Sequence, residues 1–375
     1  MRIAMFGHKR IPSREGGVEI VVEELSTRMA ALGHNVTCYN RIGRHIGGVS
    51  HGVGGEKTCS GVKIRKVPTI DRKGLAAVSS SFFAAAACAF STAQVVHIHA
   101  EGPAFMCWLP RLFGKRVVVT IHGLDWQRKK WAGGFGAKFI HLGEKMAVKY
   151  AHEIIVLSEN VRDYFMKTYG RETVYIPNGV ARPEIRPADM IVRQYGLEKN
   201  GYILFLGRLV PEKGVHYLIQ AFRDVKTEKK LVIAGSPSDS SDYGSELEIL
   251  AQGDNRILFT GFVQGGVLEE LYSNAWVYVL PSDLEGMPLS LLEAMSYGCC
   301  CLVSDIPECA QVVAGHGRTF SKGDVHSLTE QLQILCVDAA AVAALRSDAA
   351  GYVSGKYSWD KTVERTLELY RGREQ

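Results

Sequence analysis

Several absences narrow the reading before any motif is considered. The nine cysteines, at 38, 59, 88, 107, 299, 300, 301, 309 and 336, form no C-x-x-C pair and are odd in number. Neither a disulfide framework nor a zinc site is therefore expected, and reduced thiols are. No basic segment followed by an apolar one opens the chain, which predicts no secretory leader. The most apolar stretch, Leu75–Phe90, is 16 residues long, short of the ~20 that a spanning helix needs, so a buried helix flanking a sheet is expected. The segment after the first predicted strand reads FGHKRIPSREGG rather than G-x-G-x-x-G, which argues against a dinucleotide site. Short repeats and low-complexity tracts are also missing.

What is present is a globular composition, 46% hydrophobic and 22% charged, over 375 residues, which excludes general disorder and fits two domains. Charge is unevenly spread. Residues 1–180 carry 25 Lys and Arg against 13 Asp and Glu, net +12, while residues 181–375 carry 19 against 26, net −7. The basic half is expected to meet something anionic, with nucleic acid, a lipid surface and a pyrophosphate-linked molecule all open on charge alone.

Strand-like runs alternate with amphipathic stretches. Ile3–Phe6, Val36–Tyr39, Val62–Val67, Val95–Ile98, Arg116–Ile121 and Ile154–Leu157 read as strands. Apolar positions at 18, 21, 22, 25, 29 and 32 predict a helix stopped at Gly33. The same grammar restarts with Tyr202–Leu206, Leu231–Ala234, Ile257–Phe259, Val277–Leu280 and Cys300–Val303. The expected fold class is α/β, with two Rossmann-like, doubly wound parallel-sheet domains facing across a cleft. The Ile176–Pro183 segment marks the boundary. The expected domains are 1–180, 181–355 and a terminal helix within 356–375, whose Trp359, Val363, Leu367 and Tyr370 form one apolar face. Gly43–Gly61, rich in Gly and Ser, reads as a mobile loop.

Four segments can carry chemistry. In SDLEGMPLSLLE, Glu285 follows a strand and Pro288 suits the first turn of a helix. Backbone N–H groups over Gly286, Met287, Pro288 and Leu289 would face an anion at the helix N-terminus. Glu293, farther in, can accept paired hydroxyls. In GRLVPEKG, Arg208 can fork onto phosphate oxygens and Lys213 adds a point charge. Gly16 and Gly17 open a helix and permit close approach of a ligand. His122 ends a strand. Each segment alone also reads as ordinary structure: a surface acid, a solvated loop, a turn or a strand-end histidine.

Taken together, these segments resemble a family 4 retaining glycosyltransferase of the GT-B fold. The resemblance runs from the GGVE helix to SWDKTVERTLELY and rests on E-G-x-P-x-x-x-x-E and GRLVPEKG. GHKRIPSREGGVEIVVEEL and HGLDWQRKKW resemble a bacterial, rhamnosyltransferase-like subgroup of polysaccharide assembly. The resemblance implies transfer from a nucleoside-diphosphate sugar to a saccharide or lipid-linked saccharide acceptor, without cofactor. It further implies that Glu285 contacts the donor sugar, that Glu293 binds ribose and that Arg208 and Lys213 clamp the pyrophosphate. Gly16 and Gly17 would lie near the diphosphate, His122 would position a sugar, and main chain at Gly261–Val263 would frame the base. The family's Gly-x-Pro-Val run is replaced by Gly298-Cys-Cys-Cys-Leu302, where the cysteines read as small apolar fillers. No D-x-D occurs, so no metal site is expected; Asp283 with Glu285 is the one metal-like pair considered. Trp126, Arg128, Lys129, Lys130 and Trp131 suggest a headgroup contact on the cytoplasmic face of a membrane, so an anionic membrane surface is an expected partner and nucleic acid is not. A sugar-nucleotide 2-epimerase and an anionic-lipid or nucleic-acid binding module are the alternatives.

Overall fold

The computed structural model describes residues 1–43, 58–70, 72, 74–128, 134–237 and 241–372. It divides into two compact units, one of Met1–Gly179 with Trp359–Gln375, the other of Val180–Ser358. In the first, the strands are β1 Arg2–Phe6, β2 Asn35–Arg41, β3 Thr58–Cys59, β4 Val62–Val67, β5 Val95–His99, β6 Arg116–Ile121, β7 Glu153–Val156 and β8 Val174–Tyr175. They form one sheet in the order β3-β4-β2-β1-β5-β6-β7-β8, parallel except at β3–β4. In the second unit, β9 Tyr202–Leu206, β10 Lys230–Ala234, β11 Ile257–Gly261, β12 Val277–Leu280, β13 Cys300–Ser304 and β14 Arg318–Phe320 are ordered β11-β10-β9-β12-β13-β14, all parallel.

Both orders reverse direction once, between β1 and β5 and between β9 and β12, and ligands of such sheets lie outside the carboxyl strand ends at that switch point. The strands are near-continuous apolar runs because a parallel sheet is covered on both faces. Residues 95–99, 277–280 and 300–304 are buried throughout. All nine cysteines are unpaired, and Cys299, Cys300 and Cys301 fill the core.

Helix Gly17–Ala31 buries Val21, Val22, Leu25 and Met29 and ends where Gly33 turns left-handed, with φ of 82°. The terminal helix begins at Trp359 and belongs to the first unit. Trp359, Val363, Leu367 and Tyr370 are all buried there, and the Tyr370 hydroxyl pairs with His97 Nδ1.

Three short strands escape the sequence reading: β3, β8 and β14. Two or three residues carry too little periodicity to register. β3 falls inside the loop expected over Gly43–Gly61; the rest of that loop, 44–57, lies outside the described residues. Leu75–Ala89 is a helix on the sheet, but only half of the expected burial holds. Its small face of Ser80, Ser81, Ala84, Ala85 and Cys88 packs inward, while Leu75, Phe82 and Phe83 are exposed, because small residues permit the closest approach to the strands. Among the described residues no single helix is long and apolar enough to cross a membrane.

Candidate active site

The second unit brings two strand–loop–helix turns together at its switch point. The loop after β9 runs from Gly207 to Gly214 and enters helix Val215–Asp224; the loop after β12 runs from Pro281 to Pro288 and enters helix Leu289–Ser296. Gly214 allows the close approach. Its φ is 65°, and a Cβ there would sit 2.0 Å from the Pro281 carbonyl oxygen. The Asp283 N–H donates to the Glu212 carbonyl at 2.8 Å, stitching the loops.

Lys213 Nζ then reaches Glu285 Oε1 at 2.6 Å, and the Ser282 hydroxyl donates to the same oxygen at 2.6 Å. Both charged side chains are nearly buried, at 14% and 9% exposure, so this pair is short, charge-assisted and poorly screened. Arg208, on the same loop, has no carboxylate partner among the described residues. The two cations expected to act alike are thus unlike: Lys213 is balanced internally and Arg208 is left with its charge. Of the metal-like pair considered, Asp283 accepts the Tyr217 hydroxyl at 3.3 Å, while Glu285 accepts from Lys213 and Ser282.

Pro288 is one residue earlier in the helix than expected. With ψ of 100° it is the N-cap, and its carbonyl accepts the N–H of Leu291 and of Leu292. Proline has no N–H, so it adds no anion donor. The helix-end donors are Leu289 and Ser290, whose N–H groups have no intrahelical acceptor by construction. Gly286 and Met287 lead into this turn, and Met287 is buried. Glu293 lies one turn deeper and its Oε2 accepts the Tyr272 hydroxyl at 3.1 Å. Val263 sits on the loop leaving the edge strand β11, two strands from β9 on the same carboxyl edge.

The first unit builds a different site at its own switch point. Gly7, with φ of 114°, lies against β5; a Cβ there would meet the His99 carbonyl at 2.0 Å. The following loop is held by Asn40, whose Oδ1 accepts from His8 Nε2 at 2.9 Å and from the Ile11 N–H at 3.2 Å. Gly16 is the extended N-cap of helix Gly17–Ala31, and a Cβ on it would collide with Glu19 Oε2 at 2.3 Å. Glu19 in turn accepts the Lys9 N–H at 2.8 Å. Gly17 is the exposed first helical residue.

His122 leaves β6 and its Nε2 lies 3.0 Å from His99 Nδ1. Burial holds His8 and His122 near pKa 4, with Asp125 and Glu19 raising the latter only in part. Burial pushes His99 further below the ordinary histidine range. All three imidazoles are neutral at pH 7. The sequence reading found His122 and missed His8, His99 and Glu19. The signal for the two histidines was the one used for His122, a polar residue at the carboxyl end of an apolar strand. Trp126 and Arg128 are engaged locally rather than displayed: the Trp126 ring lies 4.7 Å from that of His141, and Arg128 pairs with Asp125 at 2.9 Å. Lys129, Lys130 and Trp131 lie outside the described residues.

Comparison with known proteins fits this architecture. The family described as Glycosyltransferase Family 4 matches residues 15–182, and that described as Glycosyl transferases group 1 matches residues 189–365. The chain is 28% identical over 314 residues to alpha-maltose-1-phosphate synthase of Mycolicibacterium smegmatis, covering 74% of this chain and 79% of that one. It is 29% identical over 203 residues to O-antigen chain mannosyltransferase B of Escherichia coli, covering 52% and 51%. Among solved structures, sucrose-phosphate synthase from Thermosynechococcus elongatus matches with TM-score 0.83 and 21% identity over 99% of this chain and 98% of that one. Anabaena HepE, solved in complex with UDP-glucose, matches with TM-score 0.81 and 16% identity over 99% of both chains. Two doubly wound parallel sheets, each matched by one half of the same enzyme architecture, make this chain a glycosyltransferase of family 4 with the GT-B fold.

Proposed function

We propose that this glycosyltransferase moves a hexosyl or deoxyhexosyl group from a nucleoside-diphosphate sugar to a hydroxyl of a lipid-linked saccharide in cell-surface polysaccharide assembly, with retention and without a metal or cofactor. The observation that carries the donor reading is the unbalanced Arg208 beside a helix N-terminus at the second switch point. A diphosphate leaving group needs cationic and N–H donors fixed in advance of bond breaking. Arg208 supplies a fork, Leu289 and Ser290 supply N–H groups, and Lys213 shifts part of its charge from Glu285 to phosphate. That leaves Glu285 to accept sugar hydroxyls while Glu293 accepts the ribose pair and main chain at Val263 frames the base. The solved UDP-glucose complex of HepE supports a donor of this class.

In the first unit, the roles proposed are contact with the diphosphate for Gly16 and Gly17 and orientation of the transferred sugar for His122. A buried lone pair without a partner costs less than a buried N–H without one. His99 Nε2 has no partner, so it is best left bare, with the His99 proton on Nδ1 directed to His122 Nε2. Neutral His122 then carries its own proton on Nδ1, as a hydrogen-bond donor to a sugar oxygen.

The O-antigen relative supports a polysaccharide setting. A membrane-face location, on the cytoplasmic side, is supported by the first unit's surface rather than by residues 126–131. Leu75, Phe82, Phe83, Phe90, Leu112 and Phe113 are exposed, and the Phe90 and Phe113 rings meet edge-on at 4.7 Å. Between residues 72 and 124 the sequence has five basic residues and one acid, Glu101, which is buried. Apolar rings with cations and no exposed acid suit an anionic headgroup layer.

The test is a panel of nucleoside-diphosphate sugars, each with and without saccharide acceptors, in excess EDTA. Acceptor-dependent transfer with retained anomeric configuration is expected. Conversion of the donor to its epimer without acceptor, or activity abolished by EDTA and restored by magnesium, would overturn the reading.

A further inference from the structure

Behind the His122 loop lie two carboxyl groups that the reaction does not use. Glu101 follows β5 and Glu144 lies in helix Phe135–Tyr150; both are fully buried. The two elements are pressed together at Gly143, where a Cβ would stand 2.0 Å from the Glu101 carbonyl oxygen. The backbone entering Glu101 is itself strained, because Ala100, which is not glycine, has φ of 76° and ψ of 156°.

Every oxygen of this pair can be followed. Glu101 Oε2 accepts the Asp125 N–H at 2.7 Å. Glu144 Oε2 accepts the Tyr169 hydroxyl at 2.6 Å and the Tyr164 hydroxyl at 3.0 Å. The remaining Oε1 atoms of both residues are buried without a hydrogen-bond partner among the described residues, and Glu144 is a carboxyl neighbour of Glu101. Two ionised carboxylates so close in a dry site repel; one proton between them turns the repulsion into a hydrogen bond.

We propose that Glu101 is a positioning residue: a neutral carboxylic acid that donates its proton to the Glu144 carboxylate and accepts the Asp125 N–H, so that one shared proton fixes the loop from His122 to Arg128. The proton is placed on Glu101 because the Tyr164 and Tyr169 hydroxyls both donate to Glu144, which leaves Glu144 as the acceptor of the pair. Burial first, and then the neighbouring charge of Asp125 and the bond to Glu144, raise the Glu101 carboxyl well above the ordinary range. The other groups facing the pair are His141, whose Nδ1 is 3.5 Å from Glu144 Oε2, and Arg128, which pairs with Asp125. Trp126 packs between His141 and Tyr164, so the loop has an aromatic anchor beside its hydrogen bond. The loop's functional weight rests on His122 acting as proposed above; the shared proton does not.

Glu101→Gln separates the charge from the shape. Its amide oxygen still accepts from Asp125 and its NH2 still donates to Glu144, but it cannot ionise. The sign follows from linkage: an acid whose folded pKa is raised loses folding stability as pH rises from the unfolded value through the folded one. Glu101→Gln should therefore gain melting temperature over wild type more at alkaline than at acidic pH, because the cost of the wild-type acid grows as pH rises above the ordinary carboxyl range. Infrared spectra should show a protonated-carboxyl C=O band in wild type at neutral pH that Glu101→Gln lacks. Glu101→Ala strands the Asp125 N–H and should raise acceptor KM roughly tenfold, the equivalent of one lost buried hydrogen bond, while Glu101→Gln restores it. An infrared band unchanged in Glu101→Gln, or a melting difference equal at both pH values, overturns the shared proton. If those two hold while Glu101→Ala leaves acceptor KM unchanged, the positioning role is overturned. If no acceptor is used by wild type, the acceptor assignment fails, and the infrared and melting results still decide the pair.

Discussion

The two switch points invert the charge of the units that carry them. The first unit, on the basic half of the sequence, surrounds its strand ends with neutral histidines and buried acids: His8, His99, His122, Glu19, Glu101 and Glu144. The second unit, on the acidic half, concentrates Arg208, Lys213 and a helix N-terminus there. Net charge therefore describes what each unit shows to solvent and says little about the ligand at its strand ends. An anionic donor fits the acidic unit because Arg208 there has no carboxylate partner among the described residues, whereas Arg41 at the first switch point donates to the Gly7 carbonyl and faces Glu19.

The sharpest way to break this comparison is at Lys213. Lys213→Ala leaves the nearly buried Glu285 carboxylate unpaired, and the second unit should lose about 3 kcal/mol of stability, read by denaturant melts. Adding Glu285→Gln should recover most of that stability without recovering transfer. Arg208→Ala removes an unbalanced charge instead; calorimetry should show donor affinity falling by roughly 1.5–3 kcal/mol with melting nearly unchanged. Equal effects of the two changes on stability would mean the cations are alike after all.

The glycines at the two switch points give a matched pair. Gly7→Ala and Gly214→Ala each place a Cβ about 2.0 Å from a carbonyl oxygen at positive φ. Each should cost roughly 1–3 kcal/mol. Gly214→Ala should weaken donor binding, while Gly7→Ala should spare nucleotide binding and impair transfer.

A pH titration sharpens the contrast without mutation. The folded pKa values of His8 and His122 are lowered to about 4. Between about pH 6.5 and pH 4 the unfolded chain binds more protons, so the first unit should lose stability as pH falls, at about 1.4 kcal/mol per pH unit for each proton taken up. Thermal melts of His8→Asn should flatten that slope.

The smallest effect is expected at the surface. Binding to anionic liposomes should be reversed by salt and weakened by about 1 kcal/mol on Lys115→Ala, and lost when Phe82, Phe83 and Phe90 become Ser together. Sedimentation that is indifferent to both sets of changes would remove this face as the membrane contact.

Much of this organisation was legible in sequence because parallel strands announce themselves as apolar runs. Tyr202–Leu206 and Val277–Leu280 coincide with β9 and β12, and the motifs sit directly after them. What stayed hidden is relational. No spacing rule says that Lys213 and Glu285, 72 positions apart, share a hydrogen bond, or that Arg208 has no carboxylate partner among the described residues. His99 and Glu101 were passed over because HIHAEG reads as strand and turn, and a histidine's neighbour across a sheet is invisible along the chain. Phe82 and Phe83 were assigned to the core by hydropathy, although the smaller residues of the same helix won the packing.

The terminal helix makes the first unit discontinuous, with Trp359–Arg371 completing a body begun at Met1. A ribosome therefore delivers the whole of Val180–Ser358 before Tyr370, the partner of His97 Nδ1, exists. Until Tyr370 emerges, the seat of that helix on Gly17–Ala31 and β6 stays uncovered, a transient apolar surface of the kind that chaperones hold. Order of synthesis and order of completion are opposed, and nascent chains stalled before residue 359 should be caught with the second unit protease-resistant and the first still open.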